Sequence, residues 1–204
     1  MKKLYTLLAC TMLYHALTAQ TAIYARFTNY QSDVLNTDGK TTSFHTLSAA
    51  TIDPTSTELF KLSTFTENTE QTLNIGSQST GAGAGKISFN PFTFSKPVDA
   101  ISPTLFANSA AGTPFRTVEV FYVDAMNRIM VKQVYKLAAI KTITWSGASC
   151  SSDCPAVIEN VSMEYGGQVD LVYKIADKYL TSPIVKGWNR VKNIADNDPN
   201  TVIQ

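Results

Sequence analysis

The feature that most constrains this chain is a period-two alternation of apolar and polar residues, repeated along its length and broken by turn residues. Ile23, Ala25 and Phe27 alternate with Tyr24, Arg26 and Thr28, the pattern of a strand with one face buried. Residues 116–124, 128–137, 157–165 and 168–175 repeat it, and 140–145 adds a further strand. Asp124 to Asn127 and Gly166-Gly167 are turn chemistry between neighbours, which predicts antiparallel hairpins. Thr is abundant and Phe, Tyr, Val and Ile recur, residues that suit a pleated, half-buried surface.

One helix interrupts the strands. Ser102 suits the N-cap, Pro103 the first helical position and Gly112 the left-handed terminus. Leu105, Phe106 and Ala110 are placed to form its apolar face. Ile87 and Phe89 fall on one parity, Phe92 and Phe94 on the other, so Asn90-Pro91 predicts a bulge or an edge break. Residues 33–75 are polar and Thr/Ser-rich, with two or three strands and a long exposed loop expected, and 76–85 is a Gly/Ser/Ala connector. About eight strands with one short helix predict an all-β barrel or sandwich in one domain.

The N-terminus reads differently. Lys2 and Lys3 precede an uncharged, mostly apolar stretch from Leu4 to Leu17, with small residues at Thr18 and Ala19. This is the layout of a secretory leader, too short for a membrane span, with cleavage expected after Ala19. A rival reading makes Leu7-Leu8-Ala9-Cys10 a lipoprotein processing site. A third folds residues 1–19 into the domain. With Lys2 and Lys3 removed, 15 basic residues face 16 acidic ones, so no basic stripe for nucleic acid is present. Cys150 and Cys154 remain, three residues apart in a polar loop, and an oxidising compartment predicts a small disulfide between them.

Motifs for chemistry are scarce. The run Gly81-Ala82-Gly83-Ala84-Gly85-Lys86 has Thr80 where a Walker loop needs its first glycine and Ile87 where it needs Ser or Thr. A strand pattern rather than a helix follows it, against a dinucleotide fingerprint. His45 would be the only histidine after leader removal, leaving no catalytic triad and no zinc set. Asp99, Glu119, Asp124, Glu159, Glu164 and Asp170 read as carboxylates spread singly over solvated strand faces. Trp145 and Trp188 could stack on a sugar, but core or interface burial is the commoner fate of Trp. No catalytic residue, metal site or cofactor is expected.

Residues 81–122 carry a resemblance. Gly83-Ala84-Gly85-Lys86-Ile87-Ser88-Phe89 is followed by Phe92-Thr93-Phe94-Ser95-Lys96-Pro97-Val98-Asp99, by Ser102-Pro103-Thr104-Leu105-Phe106, by Gly112, and by Val118-Glu119-Val120-Phe121-Tyr122. This order resembles the Hcp (haemolysin-coregulated protein) family, the tube proteins of type VI secretion systems. Val161 to Gly166 with Val169 to Tyr173 is similar to the family's closing hairpin, and Gly187-Trp188-Asn189 to a segment near its end. The resemblance spans about residues 21–194 and is faint between 33 and 75.

What the resemblance implies is an Hcp-like antiparallel β-barrel with one short flanking helix, non-catalytic and homohexameric. Such rings stack into a tube inside a contractile sheath, with a spike at the tip and effectors carried in the lumen or accompanying it. The expected layout is a leader at 1–19, a barrel domain at 20–175 and a C-terminal tail at 176–204, exported to the periplasm or beyond, with no membrane contact once the leader is removed. A leader and a disulfide depart from the family's habit of cytoplasmic assembly. Two alternatives follow: an exported protein of the same fold serving as a periplasmic or surface binding module, and a carbohydrate-active enzyme on a β-sandwich.

Overall fold

The computed structural model describes residues 21–43, 47, 50–71, 87–147 and 157–203. The leader, His45, the glycine run, Cys150 and Cys154 lie outside the described residues. Thirteen strands and one helix are assigned: β1 (Ala22–Thr28), β2 (Asp33–Leu35), β3 (Thr41–Ser43), β4 (Phe60–Leu62), β5 (Thr64–Thr66), β6 (Thr69–Gln71), β7 (Ile87–Phe89), β8 (Phe92–Pro97), α1 (Ser102–Ala111), β9 (Phe115–Val123), β10 (Ile129–Ser146), β11 (Ile158–Ile175), β12 (Lys178–Asn189) and β13 (Ile194–Ala195).

Every pairing is antiparallel, and the pairings close a barrel. β1 pairs with β9, β9 with β10, β10 with β11, β11 with β8, β8 with β5, and β4, one residue before β5, returns to β1. Closure leaves few edges to protect. The alternation read in β1 survives: Ala25 and Phe27 enter the main core, while Tyr24 and Arg26 lie on the opposite face. Phe27 packs against Phe60, Phe94 and Phe115 with ring centres 5.7, 5.9 and 5.3 Å away. Tyr135 packs on Phe92 at 4.2 Å and on Tyr165 at 5.0 Å.

The β9–β10 turn forms as its residues dictate. Asp124 Oδ1 accepts the backbone N–H groups of Met126 and Arg128, and Asn127 takes the left-handed φ of 59°. Gly112 ends the helix at φ 65°. Ser102 is not the N-cap. Ile101 holds that position, and the Ser102 hydroxyl turns toward a buried ion cluster instead. Leu105 enters the core beside Ile101, whereas Phe106 and Ala110 stay exposed because the helix lies across the barrel surface.

Gly166-Gly167 is not a turn. It sits inside an 18-residue β11 paired along an 18-residue β10, so the expected separate strands at 140–145 and 157–165 are halves of this one hairpin. At this level both strands reverse parity together. Tyr135 and Ala138 both face the core, as does Tyr165 across from Ala138, while the half-buried Gln168 across from Tyr135 shares with it a hydrogen bond to Glu67. Leu137 makes its half of the shift with φ 49°, unusual for a branched side chain. A Cβ on Gly166 would lie 3.0 Å from a Leu137 methyl. The glycine is there for close approach, which in sequence looks the same as a turn.

The described residues of the segment 33–75 hold five short strands rather than two or three. Asn90-Pro91 breaks the chain between a separate two-stranded β6–β7 ribbon and β8 in the barrel. The chain beyond residue 175 is no loose tail: β12 pairs with the second half of β11, β13 pairs with β12, and Ile203 is buried. A Cβ on Gly187 would lie 2.3 Å from the Asp196 carbonyl and 2.6 Å from that of Gln168.

Gly187→Ala should therefore lose about 2–3 kcal/mol, whereas Gly112→Ala should lose about 1 kcal/mol through left-handed strain alone. Urea unfolding followed by circular dichroism would rank the two, and a Gly187→Ala protein as stable as the parent would contradict this packing.

Candidate assembly surface

The carboxylates read as solvated are mostly paired, several of them out of water. On the outer face of the barrel Arg26 on β1 faces Glu119 on β9 in register. Arg26 places Nε and Nη2 each 2.5 Å from Glu119 Oε2, and Lys132 Nζ lies 2.6 Å from Oε1. Glu58 adds a second carboxylate 3.6 Å from Arg26. Burial alone would raise the Glu119 carboxyl, but Lys132 and Arg26 outweigh it and hold it below its ordinary value.

A second cluster ties the helix start to the sheet. Lys96 Nζ lies 2.6 Å from Asp99 Oδ1, 3.2 Å from Glu159 Oε2 and 3.1 Å from the Ser102 hydroxyl. Glu159 is fully buried, and the half-exposed Trp145 donates its indole N–H to it at 2.7 Å. Asp99 and Glu159 thus meet around one ammonium. This arrangement fixes α1 to the barrel and offers no open pair of carboxyls to a sugar. Trp188 lies elsewhere, on β12.

The last residues strap the outer face. Lys136 Nζ contacts Asp196 Oδ2 at 2.8 Å and donates to the Asp198 carbonyl at 2.5 Å, and the Tyr30 hydroxyl donates to the Ile203 carbonyl at 2.8 Å. Asp124 lies below the usual carboxylate range: desolvation opposes this, but hydrogen bonds from Arg128, from the Tyr179 hydroxyl and from two backbone N–H groups prevail. At one end of the barrel Tyr122 is pushed up to about 12, first by burial and then by Glu67 and Asp170.

What stays open is strand edge. Residues 140–146 pair with β11 on one side, and among the described residues no strand pairs with the other. This stretch, Ile-Lys-Thr-Ile-Thr-Trp-Ser, is mostly exposed and rich in β-branched residues, with Trp145 52% exposed. An unpaired edge of this kind is a template for another chain. The outer edge of β12 is guarded instead, by Pro183, Lys178 and Lys186. β3 and the β6–β7 ribbon are further exposed edges. The β-branched run 140–145 was legible as a strand, but its unpaired side follows only from where β9 begins, at Phe115. No group of three or more His, Cys, Asp or Glu that could hold a metal occurs among the described residues. None of their helices is long and apolar enough to cross a membrane.

The family described as type VI secretion system effector, Hcp, matches residues 50–173. No curated protein matches the chain by sequence. Among solved structures, a type six secretion system protein aligns with TM-score 0.67 at 15% identity over 86% of this chain and 99% of its own. Hcp1 from Salmonella typhimurium aligns at 0.59 and 14% identity with the same coverage. A type VI secretion system effector from Yersinia pestis aligns at 0.56 and 11% identity, covering 82% of this chain and 98% of its own. At these identities the structures speak for the fold.

Lys96→Met strands the buried Glu159 charge and should cost about 3–5 kcal/mol, most of which Lys96→Met with Glu159→Met should recover; urea titrations of the three proteins would show it. Glu119 makes a second prediction. A carboxyl held below its ordinary value contributes fully above about pH 4.3 and loses that contribution as pH falls through the lower folded value. The urea midpoint should therefore drop below about pH 4, and less steeply in Glu119→Gln.

Proposed function

Because the chain belongs to the Hcp family of type VI secretion proteins, whose members are tube-type structural components, we propose that it is a non-catalytic building block closing into homohexameric rings. The rings stack into a tube that carries or accompanies effectors, with sheath and spike proteins as partners. One observation supports this reading above the others: the unpaired edge at 140–146. Ring closure is head to tail and needs two different surfaces on one chain. A long, exposed β-branched edge supplies one, and the short edges of β3 and the β6–β7 ribbon are candidates for the other. The closed barrel behind it is rigid, and its buried ion clusters fix the strands that present the edge.

In this reading the mature chain begins after Ala19, is exported, and closes a disulfide between Cys150 and Cys154, which lie in sequence between β10 and β11. Mass spectrometry of the exported protein would show both features.

The test of assembly is negative-stain imaging with light scattering of residues 20–204. Rings of six are expected, with a mass near six chains. Thr142→Lys with Thr144→Lys places charge on the open edge and should yield monomers. The unfolding free energy of the monomer should stay within about 0.5 kcal/mol of the parent's, since both residues are exposed. A parent protein that is monomeric throughout would contradict the reading.

A further inference from the structure

One end of the barrel carries negative charge that no described cation neutralises. Glu67, one residue beyond β5, and Asp170 on β11 both accept hydrogen bonds from Gln168 Nε2, at 3.0 and 2.9 Å. A single amide therefore bridges two carboxylates. Tyr135 donates its hydroxyl to Glu67, and Gln133 Nε2 donates to Asp170 at 3.3 Å. Among the described residues no Lys or Arg nitrogen lies within ion-pair distance of either carboxylate. Lys174, on the rim, sits over the Tyr179 ring instead, and Lys186, in register with Asp170, forms no ion pair with it.

A second, independent observation concerns Gln133, which is 8% exposed. With its Nε2 committed to Asp170, its Oε1 is buried and accepts nothing. An orphaned buried acceptor is costly to leave so. Exchanging the two amide atoms would not help, because it would aim an oxygen at the Asp170 carboxylate. Gln133 lines an open cleft with Glu67, Tyr122, Met130, Val131 and Lys174.

We propose that this cleft binds a primary ammonium group on an alkyl stem, the chemistry of a lysine side chain. An ammonium has three donors and no acceptor. Here Glu67 after β5 and Gln133 on β10 line the cleft, and Asp170 on β11 lies behind Gln133, accepting from its Nε2, while the Gln133 Oε1 is the buried acceptor left unmet. Met130 and Val131 give the stem an apolar wall. Glu67 and Asp170, which add to burial in raising Tyr122, favour the same cationic occupant. The lining residues of this site lie outside the open 140–146 edge.

The probe is Nα-acetyl-lysine N-methylamide, titrated at millimolar concentration into isotope-labelled residues 20–204 while the side-chain amide resonances of Gln133 and Gln168 are followed. Saturable shifts are expected. Glu67→Gln with Asp170→Asn should bind at least tenfold more weakly, and the ε-acetylated probe should shift nothing. Gln133→Met, which leaves both carboxylates in place, should weaken binding several-fold and serves as the reading if the double variant fails to fold. Sedimentation velocity distinguishes the source of the ammonium. If a neighbouring copy's lysine already fills the cleft, the free probe shifts nothing, and the double substitution lowers the sedimentation coefficient of the assembled protein. Equal shifts from the ε-acetylated probe, undiminished binding by the variants, or an inert probe together with unchanged sedimentation would overturn the proposal.

Discussion

The long antiparallel pairing of β10 with β11 is the constraint on which the rest depends. The first half of β10 also pairs with β9, the first half of β11 with β8, and the second half of β11 with β12. One hairpin therefore serves as barrel wall, as the base of an added β12–β13 flap, and as a free edge. It can do all three because it bends. The paired parity shift at Leu137 and Gly166-Gly167 lets both strands turn their side chains into the core above and below the bend without losing register. Where β10 passes Phe115 it leaves the barrel seam, and beyond that point its outer side has no partner among the described residues.

Charge does for this fold what extra apolar layers do elsewhere. The outer face of the barrel buries Arg26, Glu119 and Lys132 rather than exposing them, because β1, β9 and β10 bring opposite charges to adjacent positions. Removing any one would leave a charge uncompensated in a low-dielectric setting. The Lys96 cluster does the same at the helix, joining β8, β11 and α1 through one ammonium. These clusters make the barrel a unit whose exposed features, the open edge and the acceptor-rich cleft, are presented at fixed positions. They also account for carboxylates that are numerous in the chain yet spoken for in the fold.

Much of this was legible from local pattern. β1 keeps its alternation, Asp124 to Asn127 makes the turn its residues favour, and Gly112 ends the helix where a left-handed residue was needed. The misreadings have a common physical origin. Gly166 and Gly167 are set by what lies against them, Leu137 and Ile203, and sequence does not report such neighbours. Ser102 looked like a helix cap because its local context is ideal for one, but a buried lysine and glutamate from other strands claim its hydroxyl. The short strands between 33 and 71 carry too few residues to show a period. The open edge at 140–146 reads as an ordinary strand, since an edge is defined by the absence of a paired strand.

We propose that residues 140–146 of one chain pair with the next chain in a ring. Backbone amide hydrogen exchange across this stretch, compared between dilute and assembled protein, tests it most directly. Amides that point away from β11 should exchange fast when dilute and slow markedly on assembly, while those bonded to β11 change little. Fast exchange along the outer side of 140–146 in fully assembled rings would contradict the account.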